Sequence, residues 1–456
     1  MKHNIFAALT CATFLAYPAL AQGHSGHSGH EMSQGNSQDM DHHMHHQAMS
    51  DGEKICTMPW HAPDFAAGSG TSRLPGKESR HSAPHGDPDC TPDQAWSIMT
   101  HGFVSAQYTD HSGPRGDDQL YVTSMAMLTG IRQTDWGKIE LKSMFSLEPL
   151  MDARGYPNLL ATGETADGEA LVDRQHPHDL FMELAARIDI NIGDTGSLFL
   201  YGGPVGEPAL GPSAFMHRGS AKLNPEPPIT HHWFDSTHIT YGVVTAGYSA
   251  PKFQLEASTF RGAEPDEERW GIETPKFNSW SVRGTLNPSP NWALQASYGE
   301  MDQPEALHPG EDEHRFTASA HYSGGRGLSA MLAFSSKKRV EAAGHTDDAA
   351  EEHDGGALTA WLAEMNWDVD QANTLFARFE NVANDELFPD HDDPLHDERF
   401  RVSKFQAGYA RRIRLDPFTL AIGGSANAYA KPAALDAAYG DNPWGYTLFM
   451  RLMLGH

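Results

Sequence analysis

Cysteine is scarce in this chain of 456 residues: there are three, and Cys11 lies inside an N-terminal apolar run, which leaves Cys56 and Cys90. So few exclude a disulfide scaffold. One disulfide is the default reading for an exported chain, with a thiolate pair on a metal as the alternative. Positive charge is also short. Lys and Arg number 33 against 60 Asp and Glu, a formal charge of −27, and a nucleic acid would be repelled by that excess. Beyond residue 21 no apolar run approaches the roughly 18 residues of a membrane-crossing helix. Missing too are Gly-x-Ser-x-Gly, a phosphate loop, His-Glu-x-x-His and any internal repeat, so no enzyme is expected.

The first residues read as a removable export signal. Lys2 supplies positive charge, Ile5 to Leu20 form the apolar stretch, and Ala19-Leu20-Ala21 has the small-x-small form that signal peptidase cuts. Residues 22–95 then hold Gly, Ser, Pro and His with almost nothing to pack, so ordering them would go uncompensated and a disordered segment is expected. What remains, residues 96–456, alternates. In 443–455 Trp444, Tyr446, Leu448, Met450, Leu452 and Leu454 share one face, with Gly445, Thr447 and Arg451 on the other. In 180–192 Leu180, Met182, Leu184, Ala186, Ile188, Ile190 and Ile192 oppose Glu183, Arg187, Asp189 and Asn191.

Period two over about ten residues, apolar against charged, marks a strand between two very different media. The pattern predicts sixteen strands, near 99–109, 119–131, 136–148, 178–193, 195–203, 236–250, 251–262, 278–288, 291–302, 313–324, 326–338, 357–369, 373–384, 399–413, 417–430 and 443–455. Tight turns such as Gln133-Thr134-Asp135 and Leu415-Asp416-Pro417 alternate with long polar loops. That rhythm predicts an all-β fold: a transmembrane, antiparallel, up-and-down β-barrel of about 16 strands in the bacterial outer membrane, with its N-terminal segment in the periplasm. Trp280, Trp292, Trp361, Trp367, Trp444 and Tyr446 fall near strand ends on the apolar faces, where interfacial girdles belong. Lys138, Glu140, Lys142, Glu183, Arg187, Asp189, Glu256, Arg283, Arg378 and Glu380 would face the lumen. The proline-rich loop 203–236 is long enough to fold inward, so an open pore and a plugged barrel both stand.

Histidine, at 27, and methionine, at 18, are abundant. The segment after the signal carries His24, His27, His30, His42, His43, His45 and His46 interleaved with Met32, Met40, Met44 and Met49. Imidazole suits Cu(II), Zn and Ni, whereas thioether selects Cu(I), so the mixture points to copper in both oxidation states, with zinc or nickel as alternatives. Cys56-Thr57-Met58-Pro59-Trp60-His61 is a second compact set of soft ligands. In the barrel, His176 and His178 precede one strand, and His231, His232 and His238 precede another. Those strands are separated by one neighbour, so their ends stand about 10 Å apart and the five histidines are expected to share an ion at the barrel mouth. Asp173, Asp179 and Asp235 are the expected acceptors that orient the rings.

The leader, Gly-His-Ser-Gly-His-Ser-Gly-His-Glu-Met through His-His-Met-His-His-Gln-Ala-Met, together with signal and barrel, resembles outer-membrane proteins of bacterial copper-resistance systems. Gln175-His176-Pro177-His178-Asp179 and His231-His232-Trp233-Phe234-Asp235 look like phrases of uncharacterised outer-membrane proteins. The resemblance implies a barrel that binds copper and serves metal sequestration, efflux or resistance, with outer-membrane lipid, metal ions and periplasmic copper proteins as partners. Two further readings are a cation-preferring porin with an incidental tail and a lipid-modifying barrel enzyme.

Overall fold

All sixteen segments are strands. The computed structural model describes residues 64–81, 96–193, 195–342 and 356–455. Its strands are β1 (Trp96–His111), β2 (Asp118–Thr134), β3 (Gly137–Phe145), β4 (Phe181–Ile192), β5 (Gly196–Gly206), β6 (Thr240–Ala250), β7 (Phe253–Phe260) and β8 (Ser279–Leu286). They continue as β9 (Trp292–Met301), β10 (Glu311–Ser323), β11 (Leu328–Glu341), β12 (Leu358–Asp368), β13 (Asn373–Asn384), β14 (Phe400–Leu415), β15 (Phe418–Ala430) and β16 (Trp444–Leu454). Each pairs antiparallel with the next, and β16 pairs with β1 to close the barrel. Closure leaves no edge, so no row of backbone donors and acceptors in the wall faces the surroundings unpaired.

The alternation decides which face looks out. Ile188, Ile190 and Ile192 of β4 and Leu448, Met450 and Leu452 of β16 are exposed on the outside. Between them, charges turn inward and pair: Arg187 forks onto Asp189 at 2.8 and 2.9 Å, and Arg283 reaches Glu256 at 2.9 Å. An apolar outer band over a charged interior requires lipid outside. Aromatic contacts flank that band, Trp292 on Tyr322 at 4.9 Å, Trp361 on Phe334 at 4.8 Å and Trp280 on Tyr298 at 5.8 Å. Among the described residues no helix is long and apolar enough to cross a membrane.

The expected unbroken apolar face of β4 is interrupted. The pairing register shifts between Phe181 and Glu183 and between Leu184 and Ala186, a break of the kind that re-aims side chains, and Met182 is buried, 1 % exposed.

The lumen is filled. Residues 207–239 fold inward, as their length and prolines suggested, and meet the wall strand by strand. Ser297 of β9 accepts the Gly211 amide at 2.8 Å, Glu364 of β12 holds Arg218 at 2.7 Å, Glu380 of β13 takes the Thr230 amide at 3.0 Å, and Thr447 of β16 bonds Glu226 at 2.7 Å. The contact is also apolar. Leu159, Leu160, Ile229, Trp233 and Phe234 of the inward loops pack on Leu358, Ala360 and Leu362 of β12 and Val402 of β14. Residues 64–81 depart from the expectation that 22–95 lacks structure. Phe65–Ala67 and Arg73–Pro75 form a strand pair inside the barrel. Arg73 donates to Ser249 at 2.5 Å and to the Ala250 carbonyl at 2.8 Å, while Thr71 bonds Glu256. The segment needs no core of its own, because the wall supplies the partners that its polar groups require. The export signal at 1–21, the leader ligands from His24 to Met49, and Cys56 and Cys90 lie outside the described residues.

Candidate metal centre

Two loops at one end of the barrel deliver the five barrel histidines. Residues 146–180 bring His176 and His178 to the start of β4. Residues 207–239 bring His231 and His232 on a one-turn helix, α1 (His231–Phe234), and His238 at the end of a 3-10 turn, Ser236–His238. The expectation that the latter three run straight into a strand is thus corrected. One helical turn places residues four apart on one face, so His231 meets Asp235 at 2.9 Å.

The five rings converge. All are buried, between 3 and 6 % exposed. Ring centres are 5.0 Å apart for His231 and His238, 5.3 Å for His178 and His238, 6.0 Å for His176 and His178, and 6.5 Å for His176 and His231. His232 stands 5.3 Å from His231. Phe215 lies against His178, His231 and His238.

Each core ring is anchored through Nδ1. His178 Nδ1 lies 2.8 Å from Glu148, His231 Nδ1 2.9 Å from Asp235, and His238 Nδ1 2.7 Å from the Asp235 carbonyl. His176 Nδ1 is 3.0 Å from the Pro177 carbonyl. That pattern leaves Nε2 as the outward nitrogen, and Nε2 of His178 and His238 is buried without a hydrogen-bond partner. Asp235 is itself held by Arg218 at 3.0 Å.

Of the three aspartates expected to orient the rings, only Asp235 does so. Asp179 accepts from Tyr241 at 2.7 Å and faces Arg269 at 3.4 Å. Asp173 turns away, taking the Leu160 amide at 2.7 Å and the Tyr439 hydroxyl at 3.2 Å. The carboxylates that do reach the cluster are Glu148, Glu164 and Glu264. Glu148 and Glu264 carry no local signal, being far in sequence from the rings they meet. Glu164 had one: Asp167-Gly168, both at positive φ, is the turn pair of a tight hairpin, and that hairpin aims Glu164 inward.

Burial in this crowd sets the charge. It lowers the pKa of His231 and His238, the latter well below the usual imidazole value, and keeps both neutral, as ligation requires. At His178 burial opposes protonation but Glu148 outweighs it, for a net rise. At His232 burial is likewise outweighed, by Glu264 and then Glu164, and the pKa climbs to about 9. Burial raises the Glu164 carboxyl, yet His176, Arg269 and His232 together hold it well below the usual range.

The donor set fits a transition-metal ion. Imidazole nitrogens bind zinc at about 2.0–2.1 Å, so tetrahedral imidazoles have ring centres roughly 5 Å apart, close to the spacing of His178 from His238 and of His231 from His238. His176, His231 and His232 each offer a ring nitrogen within 4.8 Å of the others.

No protein-family model matches the chain, and no curated protein matches it. Solved structures do. In-vitro folded OmpT, an outer-membrane protein of Vibrio cholerae, aligns over 80 % of this chain and 99 % of its own at 10 % identity, with a TM-score of 0.46. An anion-selective porin from Comamonas acidovorans aligns over 79 % and 100 % at 12 % identity, TM-score 0.45. The outer-membrane channel DcaP of Acinetobacter baumannii aligns over 79 % and 98 % at 10 % identity, TM-score 0.44. The closed sixteen-stranded wall, its apolar outer band and its aromatic flanks define an outer-membrane, porin-like β-barrel. Within that class it is marked by a filled lumen under a buried histidine centre.

Proposed function

We propose that this barrel binds a transition-metal ion within the cluster of His176, His178, His231, His232 and His238, and that it serves metal sequestration, efflux or resistance. His178 and His238 offer unpartnered Nε2 atoms, and His176, His231 and His232 offer ring nitrogens within 4.8 Å of one another. The observation that carries the reading is the convergence of anchored imidazoles whose Nε2 atoms, in His178 and His238, are buried with no protein partner. An unsatisfied buried polar atom is costly, and a metal ion satisfies these two together. Copper is the favoured ion because the leader adds thioethers from Met32, Met40, Met44 and Met49 to its imidazoles, and that leader lies in the periplasm. A general porin is the weaker reading, since residues 207–239 occupy the lumen.

The test is metal content of the full-length protein in detergent. The wild type retains one Cu(II) or Zn(II) more than a His178→Ala/His231→Ala/His238→Ala variant, the leader contributing equally to both. Equal retention would end the proposal.

A further inference from the structure

Resting on that reading, we infer that the centre takes a second divalent cation, held by Glu164, His232 and Glu264 with His176 at its edge. The three named ligands each offer an atom within 4.8 Å of the others, as His176, His231 and His232 also do. His232 belongs to both sets.

The argument lies in how these atoms approach. His176 Nε2 stands 2.8 Å from Glu164 Oε1, and His232 Nδ1 stands 3.2 Å from Glu264 Oε1. Both separations are short and each ring is drawn to its carboxylate, yet His176 Nε2, His232 Nδ1 and Glu264 Oε1 make no hydrogen bond of good geometry. Directionality is what a hydrogen bond requires. Two ligands of one ion behave otherwise. With metal–ligand distances of about 2.0–2.2 Å, neighbouring donors lie roughly 3 Å apart while their lone pairs aim at a third point. Glu164 Oε1 is also 3.5 Å from His232 Nε2, so one carboxylate oxygen faces two imidazoles. Its other oxygen faces Arg269 at 3.6 Å, which fixes the carboxylate while leaving Oε1 for the ion.

The backbone is shaped for this contact. Gly163 precedes Glu164 at φ +110°, and a Cβ there would lie 2.6 Å from the His232 ring. Only glycine lets the hairpin come down onto the imidazole. The second site is mixed in donor type, imidazole with carboxylate and without sulfur, which suits a divalent ion such as Zn(II) and not Cu(I).

Zn(II) content of the full-length protein separates the two sites. The Glu164→Gln/Glu264→Gln variant retains one Zn(II) fewer than the wild type, the His178→Ala/His238→Ala variant one fewer, and the combined variant two fewer. If Glu164→Gln/Glu264→Gln retains as much as the wild type while His178→Ala/His238→Ala loses an ion, the second site is overturned and the first stands. If no variant loses an ion, both are overturned. Crystals of Zn-loaded wild type give the same answer without any substitution. Two anomalous peaks within the cluster are expected, and a single peak there overturns the second site.

Discussion

At the scale of single residues, the interior is built from charges that could not stand alone. Arg218 is buried between Asp235 at 3.0 Å and Glu364 at 2.7 Å. Removing one member of such a group leaves the others buried and unpaired, at a cost of about 3–5 kcal/mol. Arg218→Met should therefore lower the thermal midpoint by many degrees, and an unchanged midpoint would show the network to be slack. Asp173 offers a pH test. Burial raises its carboxyl from 3.8 to about 6, with Arg115, the Leu160 amide and Tyr439 opposing the rise. A raised folded-state value means stability that is whole below the ordinary pKa and is lost as pH climbs through about 6. Asp173→Asn, which never ionises, should melt higher than the wild type at pH 8 and no higher at pH 4. A constant difference across that range would refute the assignment. The histidines were legible in the sequence because five of them stand at two loop ends. Of their carboxylate partners only Glu164 has a signal, the Asp167-Gly168 turn. Glu148 lies 30 residues before His178 in the same loop, and Glu264 comes from a different loop that only the closed barrel brings near.

At the scale of elements, strands were easier to read than what fills them. Lipid outside and charge inside impose a strict period of two, so all sixteen strands could be placed from composition along the chain. The register shift beside the buried Met182 is illegible in the sequence because a local shift of register leaves no mark in an alternating run. The order of residues 64–81 is illegible for a different reason. Their own sequence holds no core, and the groups that hold Thr71, Arg73 and Leu74 belong to β6, β7 and the turn after β8. This predicts an electrical outcome. In planar bilayers the full-length barrel should conduct weakly, and deletion of residues 64–81 should raise conductance, though incompletely, because residues 207–239 remain inside. Equal conductance from both proteins would mean that the segment does not block the passage.

At the scale of the whole molecule, the outer surface is the part most directly dictated by its surroundings. Along β16 the outward series runs Trp444, Tyr446, Leu448, Met450, Leu452 and Leu454, with Trp444 stacked on Tyr446 at 6.3 Å. The aromatic pair marks one interface. Met450, 52 % exposed, sits deeper along the same face. A cation on the lipid face of such a barrel costs about 2–4 kcal/mol at mid-depth and about 0–1 kcal/mol near the interface, since only the latter position lets the charge reach water. Met450→Arg should therefore lower the unfolding free energy in phospholipid vesicles by the larger amount and Tyr446→Arg by the smaller. The ordering is the sensitive part of this prediction. If both substitutions cost the same, or Tyr446→Arg costs more, the apolar outer band does not lie where the strands place it. A soluble barrel with a surface patch would show neither a depth dependence nor a penalty of this size, because water would solvate both arginines equally well.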